Sequence, residues 1–269
     1  MLPMNRSSAK HQARKRFGQN FLADQSVISA IEDAIRPRAE EHLVEIGPGL
    51  GALTRELLPS GCRLDAIELD RDLAAPLLAA FSIHKNFSLH KADALTFEFS
   101  SLVNNECRLR VVGNLPYNIS TPLIFRLLDQ QEVIQDMHFM LQLEVVQRLT
   151  AKPGSKHWGR LGIMCQQRCS TEMLFEVPPS AFSPAPKVMS AIVRLTPHST
   201  PSFTEEELRR IEKLVKAAFA QRRKTLRNNL KGILAEDVIQ AKGVDPSARA
   251  ETICADDFVK LADGTGIGA

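Results

Sequence analysis

The stretch His42-Leu43-Val44-Glu45-Ile46-Gly47-Pro48-Gly49-Leu50-Gly51-Ala52-Leu53-Thr54-Arg55-Glu56-Leu57-Leu58 decides the fold. Its first five residues form a short, mostly apolar run of strand length, the glycines stop it, and residues 52–58 carry apolar side chains at helical spacing. Strand, glycine loop and helix in that order open a parallel α/β unit. Glycines let the backbone pass close to a ligand, and the following helix turns its N-terminus toward an anion, so the loop reads as a cofactor cradle. Alone it is ambiguous, because Gly47-x-Gly49-x-x-Ala52 also satisfies the dinucleotide fingerprint of nicotinamide enzymes.

The pattern extends outward on both sides. Upstream, Asp24 precedes Val27, Ile28, Ile31 and Ile35, an amphipathic helix that ends before Pro37. Downstream, residues 64–69 read as a strand, 72–80 as a helix containing Pro76, and 87–91 as a strand running into Ala92-Asp93-Ala94. Residues 109–113 form a fourth strand that ends at Asn114-Leu115-Pro116-Tyr117, followed by a helix over 121–128 and a strand over 136–143. The alternation predicts a doubly wound parallel sheet. Residues 162–175 and 187–195 read as two late strands around a proline-rich loop, which fits an antiparallel edge.

Residues 196–203, with Pro197 and Pro201, have the composition of a linker, so the chain divides into residues 1–200 and 201–269. Residues 205–231 and 255–262 are helical in pattern, with Thr204 as a cap and a break at Gly243, which makes the second domain small and all-α. Residues 264–269 are expected to fray.

A chain of 269 residues with 44% hydrophobic and 24% charged residues has ample material for two packed domains. Its net charge of +3 is unevenly distributed. Residues 1–16 carry Arg6, Lys10, Arg14, Lys15 and Arg16 with no acid, and 221–231 carry Arg222, Arg223, Lys224, Arg227 and Lys231 likewise, which leaves the remainder at −7. Segregation of that kind suggests surfaces kept for a polyanion, a nucleic acid above all. Five scattered cysteines without a C-x-x-C pair give neither a disulfide framework nor a zinc site. With no secretory pattern and no apolar run of about 20 residues, the expectation is a soluble cytoplasmic protein.

Glu68, at the end of the second sheet strand, is the acid expected to accept from ribose hydroxyls, and both cofactor classes use one there. Asp93, after the third, can accept from an adenine amino group or cap a helix. The discriminating element is Asn114-Leu115-Pro116-Tyr117, at the strand end where open α/β sheets hold ligands. An adenine N6 amine is a poor nucleophile because its lone pair is delocalised into the ring. The Asn114 side-chain oxygen and the Leu115 carbonyl can take both N6 hydrogens and favour a pyramidal nitrogen. Pro116 fixes the turn and biases Leu115 toward an extended conformation. Tyr117, the only tyrosine in the chain, offers a stacking face for a base lifted from its helix.

Six ordered motifs resemble the ribosomal RNA adenine N6-dimethyltransferases. They are Gln19-Asn20-Phe21-Leu22, residues 45–51, Glu68-Leu69-Asp70, Asp93-Ala94, Asn114-Leu115-Pro116-Tyr117-Asn118-Ile119-Ser120 and Phe182-Ser183-Pro184-Ala185-Pro186-Lys187-Val188. The resemblance runs from about residue 14 to 231, and the last thirty-odd residues match loosely. It implies a Rossmann-like class I methyltransferase sheet with S-adenosylmethionine as donor and no metal. It further implies that Asn20, Leu22, Gly47, Glu68, Asp93 and Asn114 contact the donor, and that Phe182 closes on the target base opposite Tyr117. The substrate so implied is 16S rRNA within the small ribosomal subunit, dimethylated at two adjacent adenines of its 3′-terminal hairpin. The basic residues acquire a role on this reading: on a helix, Lys224, Arg227 and Lys231 fall on one face toward phosphates. A monomer is expected, since no apolar surface stripe is evident.

Three alternatives stand beside this one. A 23S rRNA adenine dimethyltransferase of the macrolide-resistance type shares the fold, donor and tetrapeptide. A nicotinamide oxidoreductase would read the same glycine loop, but the chain has no Tyr-x-x-x-Lys pair. A non-catalytic assembly factor could keep the fold, though Asn114 and Tyr117 argue against it.

Overall fold

The computed structural model describes residues 20–103, 107–199 and 203–263. The basic arm 1–16, Gln19 and the tail 264–269 lie outside the described residues.

After a two-residue strand β1 (Phe21–Leu22), helix α1 (Gln25–Ile35) starts at Asp24, whose carboxylate accepts from the amides of Ser26 and Val27. It buries Ile28, Ile31 and Ile35. Then follow β2 (His42–Ile46), α2 (Ala52–Leu57), β3 (Arg63–Ile67), α3 (Arg71–Phe81), β4 (Phe87–His90), β5 (Leu109–Asn114), α4 (Ser120–Leu128) and β6 (Ile134–Gln142). These match the expected elements to within a few residues, and Pro76 is accommodated inside α3.

The next segment differs from expectation. Residues 162–175 are not one strand: helix α5 (Leu143–Leu149), which the sequence reading omitted, is followed by helix α6 (Arg160–Gln166) and only then by β7 (Cys169–Val177). Leu161 and Cys165 pack into the core beside the sheet, whereas Ile163 packs into the C-terminal helices. A helix buried on two sides loses the one-sided apolar stripe that identifies a surface helix. After β8 (Phe182–Ser183), strand β9 (Ser190–Pro197) absorbs Thr196 and Pro197, so the linker is shorter than its composition suggests.

The main sheet has the order β4-β3-β2-β5-β6-β9-β7. Strands β4, β3, β2, β5 and β6 are mutually parallel, and β9 enters antiparallel between β6 and β7. The chain leaves β2 for β3 on one side and takes up β5 on the other, which makes the gap between their carboxyl ends a topological switch point. Helices α1, α2 and α3 contribute to the core on one face (Ile31, Leu57, Leu77), and α4 and α5 to that on the other (Leu123, Leu149). In front of β1, β8 forms a separate antiparallel ribbon with it, Leu22 opposite Phe182.

The C-terminal part is helical: α7 (Glu205–Ala218), α8 (Leu226–Asn229), α9 (Glu236–Ala241) and α10 (Ala255–Ala262). Thr204 and Glu207 form a reciprocal capping box at the start of α7. The expected helix over 205–231 is broken, since α7 ends at Ala218 and only 226–229 are helical beyond it. Asn229 stabilises the break by donating to the carbonyls of Ala218 (2.6 Å) and Gln221 (3.1 Å).

Candidate active site

A cavity of about 360 Å³ opens at the switch point. Its walls include Asn20 and Leu22 of the β1 segment, the glycine loop after β2, Glu68 after β3, Asp93 after β4 and the tetrapeptide after β5. Four loops at the carboxyl ends of the sheet and the β1 segment thereby meet at one site.

Gly47 lies at φ +66°, and a Cβ built there would meet nothing closer than the Asn114 carbonyl at 4.0 Å. The backbone at this point faces open cavity, a cradle that a side chain would fill. Gly113 has a different requirement. Its missing Cβ would lie 2.5 Å from the Ile46 carbonyl, so glycine permits the close approach of β5 to the start of the loop.

Glu68 accepts the amides of Gly49 (3.3 Å) and Asp70 (2.8 Å), one on each oxygen, which fixes the carboxylate and leaves acceptor capacity on both. Burial raises its pKa, partly opposed by those two amide bonds and reinforced by the charge of Asp70. Asp93 accepts the amide of Leu95 with Oδ1 at 2.9 Å, and no donor reaches Oδ2 among the described residues. One oxygen holds the turn and the other remains for a ligand.

Asn114 is oriented from a distance in sequence. Its Nδ2 donates to the Asn20 carbonyl at 3.0 Å, and because a carbonyl can only accept, the amide oxygen is turned the other way. Leu115 anchors its side chain in the core, 1% exposed, and its amide to the Met140 carbonyl at 3.2 Å. Among the described residues, neither Asn114 Oδ1 nor the Leu115 carbonyl receives a hydrogen bond. The Tyr117 hydroxyl lies 3.1 Å from Oγ of the fully buried Ser190 at the start of β9, which restrains the ring.

The structure does not bring Phe182 to the cavity wall. Its ring is 6% exposed and packs in the core formed by α1–α3, where Met140 and Ile192 also lie. It is the register partner of Leu22 across the two-stranded ribbon that follows Asn20.

Sequence reasoning assigned no role to Glu45, His138 or Ser190. Glu45 lies in the quoted stretch, yet only its depth gives it significance. It is 2% exposed, lines the cavity and accepts from Thr54 Oγ1 at 2.6 Å. Burial pushes its pKa up to about 7, with the Thr54 hydrogen bond opposing and the charge of Glu68 adding to the rise.

The basic residues lie away from this cavity. Arg222, Arg223, Lys224, Arg227 and Lys231 are all exposed, but they do not share a helical face. Lys224 lies in the turn before α8 and Lys231 after it, so the expected i, i+3, i+7 stripe is replaced by two turns flanking a four-residue helix. Arg222 reaches Glu251 at 3.5 Å and Arg227 reaches Glu236 at 3.3 Å, contacts that exposure makes weak.

No group of three or more His, Cys, Asp or Glu placed to hold a metal occurs among the described residues, and no helix there is long and apolar enough to cross a membrane.

Comparison with known proteins accounts for this arrangement. The chain is 56% identical over 253 residues to ribosomal RNA small subunit methyltransferase A of Saccharophagus degradans, covering 94% of each protein. Its match to the same-named protein of Pseudomonas aeruginosa is 57% over 254 residues, 94% of this chain and 95% of that one. Among solved structures, the 23S rRNA methyltransferase ErmE superposes with a TM-score of 0.73 at 28% identity, covering 91% of this chain and 99% of that one. A dimethyladenosine transferase from Plasmodium falciparum superposes with a TM-score of 0.77 at 24% identity, covering 90% and 95%, a likeness of fold. The family model for ribosomal RNA adenine dimethylases matches residues 10–265, and the chain belongs to that family.

Proposed function

We propose that the chain transfers methyl groups from S-adenosylmethionine to the N6 amines of two adjacent adenines in the 3′-terminal hairpin of 16S rRNA, acting in the cytoplasm on the assembling small subunit as a monomer without a metal ion. The observation that carries this reading is the pair of unmatched acceptors, Asn114 Oδ1 and the Leu115 carbonyl, side by side at the cavity. They take the two N6 hydrogens and draw electron density back onto nitrogen, so that its lone pair points away from the ring.

When bound, S-adenosylmethionine supplies a methyl group on a sulfonium already activated for in-line displacement. The chain's contribution is therefore placement and electrostatics. Glu68 accepts from ribose hydroxyls, Asp93 Oδ2 from an adenine amine, and Gly47 leaves room for the amino-acid end. Asn20 and Leu22 close the site from the ribbon. Tyr117 offers a face to the extruded base, and Ser190 keeps that ring from turning. Phe182 pairs with Leu22 across the ribbon and, as the family resemblance implies, closes on the base's second face opposite Tyr117. Arg222, Arg223, Lys224, Arg227 and Lys231 hold phosphates, which position the enzyme but carry no sequence information.

The choice of 16S over 23S rRNA rests on the small-subunit name shared by relatives at 56% and 57% identity, against 28% for the 23S enzyme. Purified small and large subunits lacking the modification, incubated in parallel with labelled donor, test it. Label is expected in two adjacent adenines of small-subunit RNA, and label entering the large subunit alone would sink the proposal.

A further inference from the structure

The cavity contains an imidazole for which the scheme above has no use. His138, on β6, is 3% exposed and lines the cavity, and neither ring nitrogen has a hydrogen-bond partner among the described residues. Its Nδ1 stands 3.6 Å from Asp136 Oδ1, beyond hydrogen-bond length but close enough to feel the charge. Buried polar groups are nearly always matched, by protein or by water. With no protein partner within hydrogen-bond length among the described residues and a place on the cavity wall, the ring is set to bond with what the cavity holds.

The sheet register shows where the ring stands. Glu45, Val112 and His138 lie abreast on β2, β5 and β6, and Asn114, Met140 and Ile192 form the parallel row one pleat nearer the carboxyl ends. His138 is thus one strand over and two residues below Asn114, an ideal Cα separation of about 8 Å, which one water spans between side chains. Glu45 is its counterpart two strands away, about 10 Å across Val112.

The charged groups around the ring are few. On its own strand, Asp136 is bound by Arg110 of β5 at 3.0 Å, and Arg110 also holds Glu41 at 2.8 Å. On β9 the register partner Arg194 pairs with Glu172 at the exposed edge. Helix α1 adds only apolar Ile31 and Ile35 to the core on this side. Asp136 is the anion nearest the ring, and it compensates a positive charge arriving there.

We propose that His138 receives, through cavity water, the proton that the adenine amine sheds each time it is methylated. The proposal rests on reading this cavity as the methyl-transfer site. The amine lone pair forms the N–C bond, and the electron pair of the broken C–S bond stays on sulfur. As the N–C bond forms, the proton leaving nitrogen passes to water and on to His138 Nε2, and from there to solvent. One positive charge enters as sulfonium and ends on the imidazolium opposite Asp136. His138 does not deprotonate the amine before attack; it relays the proton away as the N–C bond forms, so its protonation state enters the rate of each transfer, twice per dimethylated adenine.

The test is single-turnover methyl transfer from pH 5.5 to 8.5 with the parent and with His138→Gln, which keeps polarity and reach but cannot carry a proton. The parent is expected to show an acid limb that the variant lacks, and the variant to be at least about tenfold slower above that limb, with donor affinity by calorimetry unchanged within about twofold. In the parent, the 15N-histidine signal that disappears in the variant should titrate at the midpoint of the acid limb. Equal rates for parent and variant at every pH overturn the proposal, as does a loss of donor affinity matching the loss of rate. Should the variant not fold, a parent ring that fails to titrate with the acid limb overturns it alone. Failure of the underlying site reading is distinguishable: Asn114→Ala would then methylate as well as the parent.

Discussion

At the scale of single residues, the site works by giving each side chain one anchored atom and one free atom. Asn114 is tied through Nδ2 and free at Oδ1, Asp93 is tied through Oδ1 and free at Oδ2, and Tyr117 is tied through its hydroxyl with its ring left to stack. Separating the two ends of Tyr117 is a direct check. Tyr117→Phe removes only the Ser190 hydrogen bond, worth about 1 kcal/mol, and should slow single-turnover methylation by roughly fivefold. Tyr117→Ala also removes a base-stacking face, worth about 1–3 kcal/mol, and should cost roughly tenfold to a hundredfold beyond that. Equal losses in the two variants would assign the ring no role. Glu45 gives a pH signature. Its pKa is raised from 4.5 to about 7 in the fold, so between those values the native state holds a proton that the unfolded chain releases. Stability from this group is therefore present below pH 4.5 and is lost as pH rises toward 7, by on the order of 3 kcal/mol. Glu45→Gln keeps an acceptor for Thr54 and should gain stability over the parent progressively across that window, by several degrees in Tm above pH 7. A difference in Tm that does not change with pH would refute the assignment.

At the scale of elements, the cradle depends on β2 and β5 lying close together. Gly113→Ala brings a Cβ to 2.5 Å from the Ile46 carbonyl, a backbone atom that cannot rotate away, so the two strands must part. Overpacking of this kind costs about 1–3 kcal/mol, and because Asn114 is the next residue, donor affinity and turnover should fall together with Tm. Retained donor affinity in calorimetry would show that the loop tolerates the displacement. The elements that hold the donor cradle were legible because each exposes its period. His42–Ile46 is mostly apolar and is stopped by glycine, α1 shows one buried stripe behind an Asp cap, and in the helical part α10 is likewise amphipathic from end to end. Helices α5 and α6 were not legible, for two physical reasons. Neither start carries a side-chain cap, and α6 divides its apolar residues between two cores. The tetrapeptide and glycine loop could be read locally, whereas the supports that aim them could not. Asn20 and Asn114 are 94 positions apart, and Tyr117 and Ser190 are 73 apart, distances over which only the strand register brings partners together. Phe182 shows the converse: its motif was recognisable, but its pairing with Leu22 follows from a two-residue ribbon that no pattern announces.

At the scale of the whole molecule, the covalent boundary near residue 200 is not where packing divides. Residues between α5 and α6 leave the catalytic sheet and dock on the C-terminal helices: Gly154 donates its amide to the Glu251 carbonyl at 2.7 Å, and Trp158 Nε1 donates to the Ile253 carbonyl at 2.8 Å. Ala151, Trp158 and Ile163 share one core with Ile211, Leu214 and Phe258. The helical part, which bears Arg222, Arg223 and Lys224 in the turn between α7 and α8, is thus held to the catalytic sheet by a loop that belongs to the sheet's own chain segment, which fixes the distance between these cations and the cavity. Trp158, the only tryptophan, is the centre of that attachment and is 5% exposed. Trp158→Ala should cost about 3–5 kcal/mol for the cavity left behind. The cost falls on the docking surface, not on the sheet or the glycine loop, so scanning calorimetry should resolve two transitions where the parent shows one, the earlier belonging to the helical part. Donor affinity should persist below the second transition while binding to the small subunit weakens, because the cations are no longer held at a fixed distance from the cavity. A single transition at lower temperature, with donor and subunit binding reduced alike, would show instead that the two parts fold as one unit and that Trp158 stabilises the whole.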